Sequence, residues 1–426
     1  MKTIGTLLGC ALLLSAKTMP AAAQTPPSSS LSLEDAITRT ITLNPQLQAF
    51  GFAMRAQDGR ILQAGLRPKP ILSVELEDAL GTGEARGLSQ ANATVSIAWI
   101  LEGARRQERI DVALTGSQVL AAQAQIMRLD AAAQTARYYT LALEQQLHRE
   151  IADAGLQLAR ETVAAIERRV TVASSNRAEL ARAQADLARR ELYREDIDHE
   201  ITSARHLLAA QWGELEPQFD SLEGAPFELP EIEPIDVLLT RIEQNPELEK
   251  FLSEQRLQES ILRLERTAQN DPWRVSAGLR RMQSSADFGV VAQLNIPLNL
   301  GNRNQGRIAE VQETIAQSAA EREAAKVRIQ TQLLRIYLEL EHSIHRANTL
   351  REEVVPRFEE ALDEIRRAYD LGSASYLERL EVQEELLLAR SDLAETSIQA
   401  HLDLIEIERL TGTRVAQLSP IERGTR

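Results

Sequence analysis

Two histidines three residues apart, His342 and His345, stand beside Glu339 and Glu341. Imidazole and carboxylate at i, i+3 spacing on a helix are the residue types of a metal site. The same spacing suits polar positions on a solvated or lumen-facing helix, and the expectation is such a helix rather than a metal site. The other histidines, His148, His199, His206 and His401, are scattered singly. There is no Gly-rich phosphate loop, no nucleophile elbow and no His-Glu-x-x-His. No constellation of catalytic groups emerges, so the expectation is a protein without enzymatic activity, cofactor or resident metal. The single cysteine, Cys10, excludes a disulfide framework and a cysteine-based zinc site. A balance of 48 basic against 62 acidic residues, −14, lacks the basic footprint of a nucleic-acid binder.

The first residues read as an address. Lys2 precedes an apolar stretch, Ile4 to Ala16, then Pro20 and the small run Ala21-Ala22-Ala23. That is the order of a secretory signal peptide over residues 1–23, cut after Ala23. Leu7-Leu8-Gly9-Cys10 resembles a lipidation box, but the apolar stretch before Cys10 is short for it. Removal of Lys2 and Lys17 leaves 46 basic against 62 acidic residues, or −16. No later segment has the long apolar run of a transmembrane helix. Residues 24–30, rich in Pro and Ser, read as a flexible arm.

The elements that must position any function come in an order that occurs twice. Asn44-Pro45-Gln46-Leu47 returns as Asn245-Pro246-Glu247-Leu248. Gly103-Ala104-Arg105 with Arg109-Ile110 returns as Gly301-Asn302-Arg303 with Arg307-Ile308, both at an offset of 198. Glu179-Leu180-Ala181-Arg182 returns as Tyr376-Leu377-Glu378-Arg379, and Gly213 and Gly412 close the copies. These matches argue for tandem duplication of a unit of about 200 residues. The first repeat is expected over 24–230, with strands at 71–80 and 91–100, a long helix over 101–172 and a tip at 173–176. The second is expected over 231–426, with strands at 273–282 and 288–298, a long helix over 301–370 and a tip at 371–375. Shorter helices are expected over 36–66 and 177–212, and over 236–269 and from 376 to Thr411. At 1.5 Å per residue each long helix spans roughly 105 Å, about the length of two short ones laid end to end. The expectation is a rod or tube.

The strand-like stretches alternate. Val74 and Leu76 oppose Ser73, Glu75 and Glu77; Ala93, Val95, Ile97 and Trp99 oppose Asn92, Thr94 and Ser96. Trp273, Val275, Ala277 and Leu279 oppose Arg274, Ser276 and Arg280; Phe288, Val290, Ala292, Leu294 and Ile296 oppose Gly289, Gln293 and Asn295. One apolar and one polar face suit an outer-membrane barrel, with Trp99 and Trp273 as a girdle at one bilayer edge. A soluble four-stranded sheet on a core would show the same alternation. Four strands are too few to close a barrel, so several chains would have to share one.

Taken together, these features resemble the TolC-like outer-membrane efflux channels: an export signal, Asn-Pro-x-Leu near the start of each half, a strand pair before each long helix, and Gly-x-Arg at each strand-to-helix junction. Asn295-Ile296-Pro297-Leu298-Asn299-Leu300-Gly301-Asn302-Arg303-Asn304-Gln305-Gly306 is most similar to the CzcC-like heavy-metal branch. The resemblance implies a mainly helical protomer with a small β part. Three copies would form a periplasmic α-barrel and a 12-stranded outer-membrane β-barrel. The homotrimer would dock a periplasmic adaptor and an inner-membrane pump of the resistance-nodulation-division type, passing divalent heavy-metal cations outward. The acidic surplus favours cations in such a lumen. The second tip, Tyr369 to Leu377, resembles the family's adaptor-contacting turn; the first, Thr171 to Asn176, keeps the small residues but lacks the glycine. Docking or gating would then involve Asn176, Arg366, Asp370, Leu371, Gly372 and Ser375, with Asp370 in an acidic ring at the closed aperture. Gly372 alone would also serve as a helix C-cap. The competing readings are a channel of the same family for organic toxicants or secreted proteins, and a periplasmic adaptor or coiled-coil spacer that never enters a membrane. An adaptor should carry one hairpin between β-rich domains, whereas this chain carries two.

Overall fold

A computed structural model describes residues 30–83, 86–172, 175–298 and 301–412. The expected export signal, Cys10, Ala173, Ser174, Asn299 and Leu300 lie outside them. Two copies of one element order follow each other. The first comprises β1 (Ser30–Leu31), α1 (Leu33–Leu43), α2 (Pro45–Gly65), β2 (Ile71–Glu77), β3 (Asn92–Leu101), α3 (Arg105–Thr171), α4 (Arg177–Ala209) and β4 (Ser221–Leu222). The second comprises α5 (Ile235–Arg241), α6 (Pro246–Thr267), β5 (Trp273–Met282), β6 (Asp287–Asn295), α7 (Gln305–Thr349), α8 (Val355–Asp370) and α9 (Tyr376–Thr411).

The helix expected over 36–66 is two helices. Proline disfavours helical backbone in the residue before it, and Asn44 is turned out to φ −55°, ψ 122°. Pro45 takes the first helical position of α2, where its missing N–H costs nothing. The Asn44 Oδ1 caps the new helix by accepting from the Gln46 and Leu47 amides at 2.9 and 3.0 Å. The second copy breaks the same way at Asn245, so the helix expected over 236–269 is α5, a short 3₁₀ turn and α6.

These breaks are joints. The Asn44 Nδ2 donates to the Gln211 carbonyl at 2.7 Å, and the Asn245 Nδ2 donates to the Leu410 carbonyl at 2.6 Å. Each asparagine therefore caps the start of one helix and the end of another, and α4 abuts α2 as α9 abuts α6. The closing glycines fit under the prolines. Gly213 and Gly412 have φ of +84° and +70°, and a Cβ on them would lie 3.2 Å from Pro45 and 3.3 Å from Pro246. α3 packs along α2 and α4, and α7 along α6 and α9. With 67 residues, α3 is about 100 Å long.

The apolar core gathers around the middle of the long helices. One cluster joins Ala133, Ala136, Tyr139 and Leu143 of α3 to α1, to Leu208 and Trp212, and to Ala394 and Ile398 of α9. A second joins Ile329, Leu333, Ile336 and Leu340 of α7 to α5 and to Ile407 and Leu410. Ser30, expected in a flexible arm, instead pairs in parallel with Ser221, as Leu31 does with Leu222. The buried Tyr139 hydroxyl donates to the Leu31 carbonyl at 2.7 Å, tying this strand pair to α3. The run expected as one helix over 301–370 carries a π-turn at Leu350–Val354 just ahead of Pro356. A proline here lacks an amide for the preceding turn and its ring crowds the carbonyl four residues back; the wider turn accommodates it.

Candidate functional site: the four-stranded sheet and the helical tips

β2, β3, β5 and β6 form one antiparallel sheet in the order β2-β3-β5-β6. The register places the alternating residues of all four strands on common faces. Val74 lies opposite Val95, Val95 opposite Leu279, and Leu279 opposite Val290. Val275 lies opposite Leu294. This face is bare: Val74 is 74% and Val290 81% exposed. The other face pairs Glu75 with Thr94, Ser96 with Gly278, Ser276 with Gln293 and Arg274 with Asn295. On it, Arg280 donates to the Thr94 hydroxyl at 2.9 Å and pairs with Glu77 at 2.6 Å. A side chain at Gly278 would collide with the Val95 carbonyl and come within 2.6 Å of the Ser96 Cβ, so the strands approach closely there.

A soluble sheet buries its apolar face on a core; here that face is the exposed one. Trp273 pairs with Leu101 and Trp99 with Val275, so both indoles stand on the apolar face at the end where the strands run into the helices. Two strands stop earlier than their apolar run suggests. β2 ends at Glu77 because Asp78 and Leu80 turn to positive φ, 53° and 64°. β6 ends at Asn295, short of Pro297, which cannot donate to a ladder.

At the opposite end, each hairpin reverses. Asn176 caps α4 by accepting from the Glu179 amide at 2.8 Å. Ser375 caps α9 in a reciprocal box with Glu378, whose carboxylate accepts from the Ser375 amide at 2.7 Å. These bonds favour the ionised form and hold the Glu378 carboxyl below its ordinary pKa. Gly372, at φ +79°, makes the turn after α8. Leu371 projects at 84% exposure and Asp370 is exposed beside it. Arg366 pairs with Glu161 of the first hairpin at 3.4 Å and with Asp363 at 3.8 Å; Arg367 pairs with Glu364 at 2.7 Å. Asp370 forms no salt bridge among the described residues.

The tip also holds residues that spacing did not single out. Tyr369 and Tyr376 are buried with Ile166 and Ala183 in a small cluster joining the two hairpins. The Arg169 guanidinium lies 4.5 Å from the Tyr369 ring centre and donates to its carbonyl. Arg379 is 5% exposed, with its guanidinium 5.4 Å from the same ring. Burial, with Arg366 nearby, pulls the pKa of Arg379 below its usual value. Arg169 and Tyr369 are 200 residues apart, so the repeat, rather than local spacing, was the signal that could have joined them. His342 and His345 are exposed, and no group of three or more possible ligands gathers among the described residues.

The sequence profile of the family described as "Outer membrane efflux protein" matches residues 241–413. The cobalt-zinc-cadmium resistance protein CzcC of Cupriavidus metallidurans is 26% identical over 382 residues, 90% of each chain. The second repeat thus matches the outer membrane efflux proteins, and the chain along most of its length is similar to them. The nickel-cobalt-cadmium resistance protein NccC of Alcaligenes xylosoxydans xylosoxydans is 24% identical over 314 residues, 74% of this chain and 70% of the relative. Among solved structures, the outer membrane protein VceC of Vibrio cholerae superposes with a TM-score of 0.71 at 18% identity, covering 89% of this chain and 96% of VceC. Proteins of the matched family are outer-membrane efflux channels rather than enzymes. The expected fold class, mainly helical with a small β part, is the one observed. No described helix is long and apolar enough to cross a membrane.

Proposed function

We propose that three copies of this chain form the exit duct of a tripartite efflux assembly, conducting divalent heavy-metal cations passively from the periplasm to the exterior. The observation that carries this is the sheet. It has one exposed apolar face, one polar face, and two edges, β2 and β6, left unpaired among the described residues. An open edge cannot persist in hydrocarbon. Pairing β6 of one copy with β2 of the next closes twelve strands in a trimer, a bore wide enough for a conduit. Trp99 and Trp273 then form the periplasmic-side girdle at the lipid boundary. The heavy-metal cargo rests on the names of the relatives in both resistance systems and on an acidic surplus that attracts cations.

The helical tips would meet a periplasmic adaptor, which couples the duct to an inner-membrane pump of the resistance-nodulation-division type. Leu371, Gly372 and Ser375 present the docking turn; Asn176, Arg366 and Asp370 flank the aperture. The test has two parts. Mass measurement of the detergent-solubilised protein should give three chains, and a stable monomer would defeat the assembly. Deletion of the gene should sensitise cells to zinc, cobalt, cadmium or nickel salts. Sensitivity to organic toxicants alone would reassign the cargo to the organic-toxicant reading.

A further inference from the structure

The duplicated Gly-x-Arg junctions converge. The four arginines that the repeat places in corresponding positions, Arg105 with Arg303 and Arg109 with Arg307, line one cavity of about 270 Å³. The cavity lies between the starts of α3 and α7 and the end of α6, and its lining also includes Glu265 and Asp271. Four cations against two anions leave the wall at +2. Part of this charge is already paired in and behind the wall. Glu265 accepts from the Asn304 amide group at 2.8 Å and faces Arg307 at 3.8 Å. Arg109 is held by Glu102 and by the Leu66 carbonyl at 3.2 Å. Arg105 and Arg303 form no salt bridge among the described residues. The hydrogen bond from Arg109, with Arg105 and Arg106 nearby, holds the Glu102 carboxyl below its ordinary pKa.

Its position points to the ligand. Asp271 lies two residues before Trp273, and Arg105 lies four residues after Leu101, the partner of Trp273 in the sheet. The cavity therefore sits just beyond the aromatic end of the exposed apolar face, on the helix side. In a membrane, the groups at that depth are lipid headgroups. Guanidinium groups bind phosphate through paired, charge-assisted hydrogen bonds. We propose that this cavity binds the phosphate of an anionic phospholipid of the inner leaflet of the outer membrane, with Arg105 and Arg303 as its principal contacts. A lipid held there anchors the helix starts of both repeats to the bilayer surface.

The experiment is lipid retention by the purified, assembled protein, read by native mass spectrometry after reconstitution in vesicles of phosphatidylglycerol or of phosphatidylcholine alone. Wild type should retain phosphatidylglycerol. R105Q/R303Q should retain it about tenfold less or weaker still, given the strength of charged hydrogen bonds. R105K/R303K, which keeps the charge, should retain it. Equal retention by wild type and the glutamine pair would overturn the proposal. Displacement of the lipid by inorganic phosphate at equal concentration would overturn the lipid assignment and leave soluble phosphate as the ligand. Should the glutamine pair not fold, retention by wild type is measured against salt: indifference to ionic strength would equally overturn it. The measurement involves no transport, so it stands or falls separately from the cargo.

Discussion

Removing the side chain of Asn245 should loosen the second repeat at the joint between α6 and α9. The residue is 5% exposed and serves two helices at once, accepting from the Glu247 amide at 2.7 Å and donating to the Leu410 carbonyl at 2.6 Å. Loss of a helix N-cap costs about 1 kcal/mol. Leaving the buried Leu410 carbonyl without its donor costs about 1–3 kcal/mol more. Asn245→Ala should therefore destabilise the fold by about 2–4 kcal/mol. Asn245→Ser separates the two effects: its hydroxyl can still cap α6, but it is too short to reach across to α9, so about 1–3 kcal/mol should remain. Asn44→Ser, at the half-buried counterpart, should cost less because water can satisfy the Gln211 carbonyl. Thermal loss of helicity, followed by circular dichroism in one detergent, ranks the three. If Asn245→Ser melted with wild type while Asn245→Ala did not, the cap alone would matter. The asparagine would then be no joint between α6 and α9.

Single cysteines at Val74, Val95, Val275 and Leu294 should be shielded by lipid from a hydrophilic maleimide, while those at Glu75, Ser96, Arg274 and Gln293 label from the lumen; equal labelling would dismiss the barrel. Asp370→Ala should raise single-channel conductance and admit large antibiotics, because an exposed carboxylate without a salt bridge among the described residues of its own chain is available to pair with the next copy, and three such pairs worth about 0–1 kcal/mol each make a latch; unchanged conductance would move the gate to other residues. A bulky side chain at Gly372 should impair adaptor docking and efflux yet leave the trimer assembled, since only the left-handed turn is strained. Burial pushes the Glu408 carboxyl up to about 7. A carboxyl raised above its unfolded value contributes stability that is complete below about pH 4 and lost as pH rises through about 7. Glu408→Gln should therefore flatten the decline in melting temperature between about pH 5 and 8, and an unaltered profile would refute the assignment.

The alternation of Trp273 to Arg280 was legible because every second side chain meets a different solvent, and the same contrast is what places the strand in a sheet. The Asn-Pro repeats were legible as marks of duplication but not as breaks, although proline after asparagine is itself a stop for the helix before it. The pairing of Ser30 with Ser221 was not legible. Two residues are too few to show a period, and the partner lies 191 positions away. At the tip, the caps Asn176 and Ser375 follow from residue type at a reversal. The seating of Arg169 and Arg379 around Tyr369 depends on how two hairpins lie side by side, and no local pattern encodes it.

The π-turn at Leu350–Val354 acts as a phase corrector. Before it, the buried positions of α7 run in sevens: Leu333, Leu340 and Ala347 in one row, Ile329, Ile336, Ser343 and Leu350 in the other. A strict heptad would continue at 354 and 357. The inward rows resume instead at Val355, Leu362 and Tyr369, and at Phe358 and Ile365, each one residue late. In an unbroken α-helix one extra residue would swing everything beyond it by about 100° and turn the inner stripe towards solvent. The wide turn absorbs that residue where it stands. The segment leading to the tip is thus free to differ in length from the segment leading to the membrane by a single residue, without either losing its alignment with α9.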